Sequence, residues 1–433
     1  MARLLADLTP LRVSPAYRRL WIGNSLSATG MQVTMIAVSL EIYELTQSSF
    51  YVGLVGLFGL VPLVITGLYG GSIADAYDRR KVALASSLSL WLITCGIALQ
   101  AWLGMRNVWV ILILIALHSA ASGINQPTRG AIIPALVGNK LLPAANSLNM
   151  VTFGVAMMVG PMLGGVLVAS VGYAWTYTLD VVTFLAALYS VYRLPSLPPE
   201  RNADGSARVA GLKSVLDGFK FLGTHPNVRM TFLIDLASMV LASPRALLPA
   251  IGAVLIGGGG TTVGILLGAM ALGTFLTGLF SGPMSVIHHQ GKAVYLSVTG
   301  WAVSMIGFGV VVLWALYAHG GPLPLDAPMT GFVWLAAFFM LTAGICDSIS
   351  AVFRNTILQS AAPDHMRGRL QGVFVVVVAG GPRLGDMLAG GVASFVGEGW
   401  TLVIGGVVSA LTAGALMMWH PGFLRYDSRH PQP

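Results

Sequence analysis

Charge is what this chain lacks. Only 9% of its 433 residues are charged while 55% are hydrophobic, whereas a soluble globular domain carries about 25% charged residues. The deficit excludes one large soluble core. Cysteine is nearly absent as well: Cys95 and Cys346 lie far apart in apolar stretches, so neither a disulfide framework nor a metal site is expected. HExxH, the phosphate-binding GxxxxGKS/T loop and GxSxG are all missing, and no soluble stretch is long enough for a nucleotide-binding domain. No enzymatic role, catalytic residue or cofactor is assigned. A signal peptide is not expected either, since MARLLADLTPLRVSPAYRR is basic and lacks an apolar core and cleavage site.

What remains is oil. Mean hydropathy is +0.78, and apolar runs recur near the length of about 20 residues that crosses a bilayer as a helix. The hydropathy pattern predicts about twelve spans. Six lie near 18–44, 50–74, 81–104, 108–134, 144–170 and 173–194, and six near 228–256, 261–283, 291–318, 330–358, 370–397 and 400–419. The runs are continuously apolar rather than alternating, which favours helices over barrel strands.

Basic residues set the orientation. Arg12, Arg18, Arg19, Arg79, Arg80, Lys81, Arg193, Lys213 and Arg229 fall in segments that an in-in topology places in the cytoplasm, and the outer loops hold Arg106. Both termini are therefore expected inside a bacterial cytoplasmic membrane. The net charge of +8 follows from that bias, and no nucleic-acid partner is expected.

Residues 1–194 and 229–420 read as two six-helix bundles joined by a cytoplasmic linker, 195–228, with a tail at 421–433. In the linker Val209, Leu212, Val215, Leu216, Phe219 and Leu222 share one helical face, as in a helix lying at the membrane surface. The halves resemble each other. A shift of 225 places Arg354 on Arg129, Gly385 on Gly160 and Gly390 on Gly165, and a shift of 211 places Gly282 on Gly71. Six helices repeated in parallel are one recurring architecture of secondary transporters.

Two motifs carry a family resemblance. GGSIADAYDRRKV, 70–82, supplies Gly71, Asp75, Arg79 and Arg80 in the spacing of a cytoplasmic loop motif, with Ala76 and Asp78 departing from the pattern. GVAMMVGPMLGG, 154–165, supplies Gly154, Gly160, Pro161, Gly164 and Gly165. On these residues the chain resembles the major facilitator superfamily. The resemblance implies an all-α polytopic membrane protein with twelve transmembrane helices in two pseudo-symmetric six-helix bundles around a central cavity. It also implies a gating role for the loop and a proton-coupled export role for the second motif.

LPSLPPERN, GLKSVLDGFKFL, LASPRALLPA, PDHMRGRLQGVF and LGDMLAGG resemble the branch of bacterial siderophore (enterobactin) exporters, which borders multidrug efflux proteins. The expected function is export of a siderophore or similar amphipathic molecule by a monomer, driven by the proton gradient. A broad-specificity drug/proton antiporter is the alternative, and a non-transporting receptor or scaffold a distant one.

Charges inside a span cost about 2.5 to 3.5 kcal/mol each at its centre. By the spans above they are Asp180, Asp235, Asp347 and Asp386 against Arg129, Arg245, Arg354 and Arg383, so mutual neutralisation is open to all of them. A proton-coupled exporter needs a buried carboxylate that can exchange a proton. Asp386 leads, followed by Asp235 and Asp180, and His118 could relay a proton or simply pack. Arg245, Arg383, Arg129, Arg354 and Asp347 are substrate-cavity candidates. Glu41 is expected at the interface. In SPRALLP, Pro244 and Pro249 predict a bend, and the i, i+3 spacing of Arg383 and Asp386 lets them pair.

Overall fold

The computed structural model describes residues 8–197, 220–280, 284, 287–325, 327–361, 364–427 and 429. Apart from one isolated bridge between His289 and Asp427, the ordered elements among them are helices. In lipid that is the expected outcome, because a helix satisfies its own backbone groups.

A short α1 (Thr9–Val13) leads into α2 (Pro15–Thr46), α3 (Ser49–Ala76), α4 (Arg79–Trp102) and α5 (Val108–Tyr192). The long α5 is not one rod. Its backbone leaves helical geometry at Gly138 (φ 71°) and Gly172 (φ 79°), where a side chain would be strained although space is open. Asn107 starts α5 by accepting from the N–H groups of Trp109 (3.0 Å) and Val110 (3.4 Å), an N-cap that satisfies orphan donors.

Beyond the linker come α6 (Pro226–Leu241), a broken stretch to Leu255, then α7 (Gly259–Leu279), α8 (Gln290–Ala318), α9 (Phe332–Ala361), α10 (Asp364–Val396), α11 (Glu398–Trp419) and the turn α12 (Pro421–Leu424). Nine helices among the described residues are long and apolar enough to cross a membrane. One of these, Lys140–Tyr192, breaks at Gly172; with α2 and α10 added, the segments are consistent with twelve spans.

The chain forms two compact units, one drawn from Met1–Glu41 and Phe58–Leu212, the other from Ile42–Leu57 and Lys213–Pro433. The end of α2 and start of α3 thus group with the second unit. The linker's amphipathic face lies outside the described residues up to position 219. At the chain's end Phe423 is fully buried, packed with Val228, Phe353 and Tyr426 in the second unit's core.

The export-type motif sits where α5 passes α2. A Cβ on Gly160 would come within 2.4 Å of Gln32 Cβ, and one on Gly164 within 3.0 Å of the Val33 carbonyl. Pro161 and Gly165 are buried, while Gly154 faces open space. In the second unit Gly385 repeats the arrangement against α6, where its Cβ would meet the Met239 carbonyl at 2.2 Å. Each glycine lets backbones approach, as small residues do in membrane helices. Gly160→Val is therefore expected to lower the thermal midpoint of the detergent-solubilised protein, by about 1 to 3 kcal/mol of overpacking. Gly154→Ala is expected to leave it unchanged.

Candidate functional site

The second unit is built around a helix that stops inside the apolar layer. Pro244 has no N–H to continue α6, and after Ala242 the chain passes through a 3-10 turn at Arg245–Leu247, one α turn at Leu248–Ala250 and a π turn at Ile251–Leu255. The bend read from SPRALLP is real. It frees polar groups where a straight helix would hide them.

Asp386 fills that break from α10. Its Oδ1 accepts from Ser243 Oγ at 2.7 Å. Arg245 lies on the broken stretch itself and Arg383 one turn earlier on α10. The sequence pairs Asp386 with Arg383 one turn earlier. The structure also gives Asp386 a partner on the broken stretch, because Ser243 reaches it with a direct hydrogen bond. Its helix is held closely: a Cβ on Gly53 would lie 2.6 Å from the Asp386 carbonyl, and one on Gly56 2.4 Å from that of Arg383.

Arg354 gathers two acids of this unit. Arg354 on α9 is buried against Asp235 on α6 in a direct ion pair, and its other nitrogen lies 4.0 Å from Asp347. Ion pairing around Arg354 is thus the arrangement among these described residues.

The first unit departs from it. Arg129, the repeat mate of Arg354, donates to Asn24 Oδ1 and, at 3.1 Å, to Ser87 Oγ. Asn24 and Asp235 are themselves related by the shift of 211. The two halves therefore hold equivalent arginines with equivalent partners, one neutral and one acidic. Supplying the missing acid with Asn24→Asp is expected to raise the thermal midpoint, since an uncompensated buried charge is costly. The same change ties up Arg129 and is expected to slow transport in vesicles.

Asp180, on the last segment of α5, is 2% exposed and accepts from Thr34 Oγ1 at 2.8 Å. His118 lines the same small cavity. Glu41, expected at an interface, is instead 7% exposed and bound by Gln100 and Tyr177.

Of the loop motif, Gly71 and Asp75 fall in the last turns of α3, and their side chains lie outside the described residues. Arg80 donates to the Tyr192 carbonyl at 2.7 Å and lies 5.9 Å over its ring. Arg79 N–H donates to the Leu197 carbonyl at 3.0 Å. Asp78, the departure from the family pattern, caps α4 through the Arg80 N–H (2.9 Å) and ties it to the segment after α5 through Ser196 Oγ (2.6 Å) and Leu197 N–H (3.2 Å).

The Ser196 hydrogen bond, with the backbone donors, holds the Asp78 carboxyl below its ordinary range. Because its pKa falls on folding, the clamp stabilises fully above the unfolded value of about 3.9 and fades as pH drops through the lowered one. Asp78→Ala is expected to lower the thermal midpoint near neutral pH and to matter progressively less in acid.

Ser243, Gly53, Gly56, Asn24 and Gln100 escaped sequence reasoning. Each is polar or small without charge, and only its partner gives it meaning.

A family model described as transmembrane secretion effector matches residues 5–429. The Enterobactin exporter EntS of Citrobacter koseri is 29% identical over 419 residues, 95% of this chain and 95% of that protein. The Shigella boydii protein of the same name is 29% identical over 414 residues, 94% of each. Among solved structures, a bacterial homologue of the iron transporter ferroportin in an inward-facing state aligns at TM-score 0.67 and 14% identity, covering 94% of this chain and 98% of that one. A D-xylose-proton symporter aligns at TM-score 0.65 and 12% identity over 93% and 97%. At such identities the structures show the fold.

Proposed function

This chain belongs to the transmembrane secretion effector family of major facilitator transporters, and on that premise we propose that it exports a siderophore or similar amphipathic molecule in exchange for protons. Both termini face the cytoplasm, the protein acts as a monomer, and substrate crosses by alternating access. The full-length likeness to Enterobactin exporter EntS supports the substrate class. The observation that carries the mechanism is Asp386 in the break of α6, bound by Ser243, with Arg245 on that break and Arg383 one turn earlier on α10.

The sign of the coupling follows from that geometry. An ionised carboxylate accepts hydrogen bonds only, and protonation turns one acceptor into a donor. A hydroxyl on the cargo can donate to an ionised Asp386, while Arg245 offers a cation to an aromatic face or an anionic oxygen. A proton arriving from outside removes the acceptor and releases the substrate outward. Proton and cargo compete for one carboxylate, so the downhill entry of one drives the exit of the other.

A deletion strain grown with and without iron tests the cargo. Siderophore in the medium is expected to fall several-fold under iron limitation, with drug susceptibility unchanged. Unchanged siderophore secretion together with lost drug resistance would replace this reading with the multidrug one.

A further inference from the structure

Two buried carboxylates of the first unit stand apart from the charged groups just described. Glu41 accepts from Gln100 Nε2 at 3.1 Å on each carboxylate oxygen and from the Tyr177 hydroxyl at 2.6 Å, and Tyr173 stacks on Tyr177. Asp180 is bound through Oδ2 by Thr34. Its Oδ1 is buried with no hydrogen-bond partner among the described residues.

The α2 backbone closes over that oxygen at Gly30, where a Cβ would lie 2.5 Å from it. On its open side the Asp180 side chain lines a water-sized cavity with Thr34, His118 and otherwise apolar side chains, Ile97 among them. Buried polar atoms normally have partners, and an exception calls for an explanation.

The two clusters are stacked on the same helices. Thr34 and Glu41 are seven residues apart on α2, Ile97 and Gln100 three apart on α4, Tyr177 and Asp180 three apart on α5. At 1.5 Å rise per residue the clusters are offset by roughly 5 to 10 Å. All three helices place the Glu41 cluster nearer the end where α2 finishes, the outer face in the proposed topology.

The geometry points to a proton relay within the first unit, in which Glu41 takes a proton from the outer side and passes it inward to Asp180, whose side chain shares a water-sized cavity with His118. In the transfer Glu41 goes from acid to carboxylate and Asp180 from carboxylate to acid, so the charge of the unit is conserved. Gln100 and Tyr177 stabilise the ionised Glu41 left behind by donating to it. Thr34 Oγ1 keeps Asp180 oriented while its other oxygen receives the proton. The relay rests on the proton-coupled reading above and adds to it a second proton step, required alongside the one at Asp386 for gradient-driven accumulation.

The full-length protein, reconstituted in liposomes with iron-free enterobactin as probe, tests it. Wild type is expected to accumulate the probe under an imposed pH gradient. Glu41→Gln and Asp180→Asn are each expected to lose that accumulation while retaining probe counterflow at equal pH, which needs no net proton movement and reports a folded carrier. In infrared difference spectra at successive pH values, Asp180→Asn is expected to remove one protonated-carboxyl band. Accumulation at wild-type level in either variant, or an unchanged carboxyl band in Asp180→Asn, overturns the relay. A wild-type protein that exchanges the probe but ignores the gradient overturns the proton-coupled reading itself, and the relay with it.

Discussion

Asp386→Asn is expected to reduce transport driven by a pH gradient to the level of protein-free liposomes. The substitution keeps the shape of the side chain, and its amide oxygen can still accept from Ser243 Oγ, which lies 2.7 Å from the native carboxylate. It removes the one thing an amide cannot do, which is to take and give a proton at neutral pH. The broken α6 stays in place, because Pro244 and Pro249 specify it independently. The thermal midpoint is therefore expected to stay near wild type while gradient-driven transport vanishes. Full activity under the gradient removes Asp386 as the coupling residue.

The second large effect is on stability. Arg354 and Asp235 form a buried ion pair, with side chains 8% and 4% exposed. Removing one partner of such a pair costs about 3 to 5 kcal/mol, because the other charge is left uncompensated. Asp235→Asn is thus expected to lower the thermal midpoint sharply. Asp347, at 4.0 Å, offsets part of the loss only. Replacing the pair together, with Asp235→Leu and Arg354→Met, is expected to recover most of it, since apolar groups of similar volume leave no unpaired charge. Recovery in the double variant assigns the pair a scaffold role. A double variant as unstable as the single one contradicts that assignment.

Asp235 and Arg354 also show where sequence is transparent and where it is opaque. Both could be named from sequence because a charge in an apolar run is conspicuous, and the halves could be aligned because Arg129 and Arg354 recur. That Asn24 stands where Asp235 stands became meaningful only when each was found against its arginine. A neutral asparagine near a span end carries no signal by itself.

Proline and glycine punctuation was legible for the same reason that charge was. Pro244 with Pro249 announced the break, and the glycines of 154–165 announced close packing, which Gly160 and Gly164 supply against α2. Glu41 was misread for the opposite reason. Its position near the end of a span suggested water, but its partners Gln100 and Tyr177 arrive from 59 and 136 residues away, and distance along the chain says nothing about that burial. Likewise the i, i+3 spacing of Arg383 and Asp386 says nothing of Ser243, which reaches the carboxylate from the broken stretch after α6.

The central claim is that protons drive this protein's cargo outward. It is tested most directly by the reconstituted wild-type protein oriented with its cytoplasmic face outward and the lumen made acid. Enterobactin supplied outside is predicted to accumulate in the lumen above its external concentration and to leak back when an ionophore collapses the pH gradient. Equal luminal and external concentrations with the gradient intact would contradict the claim.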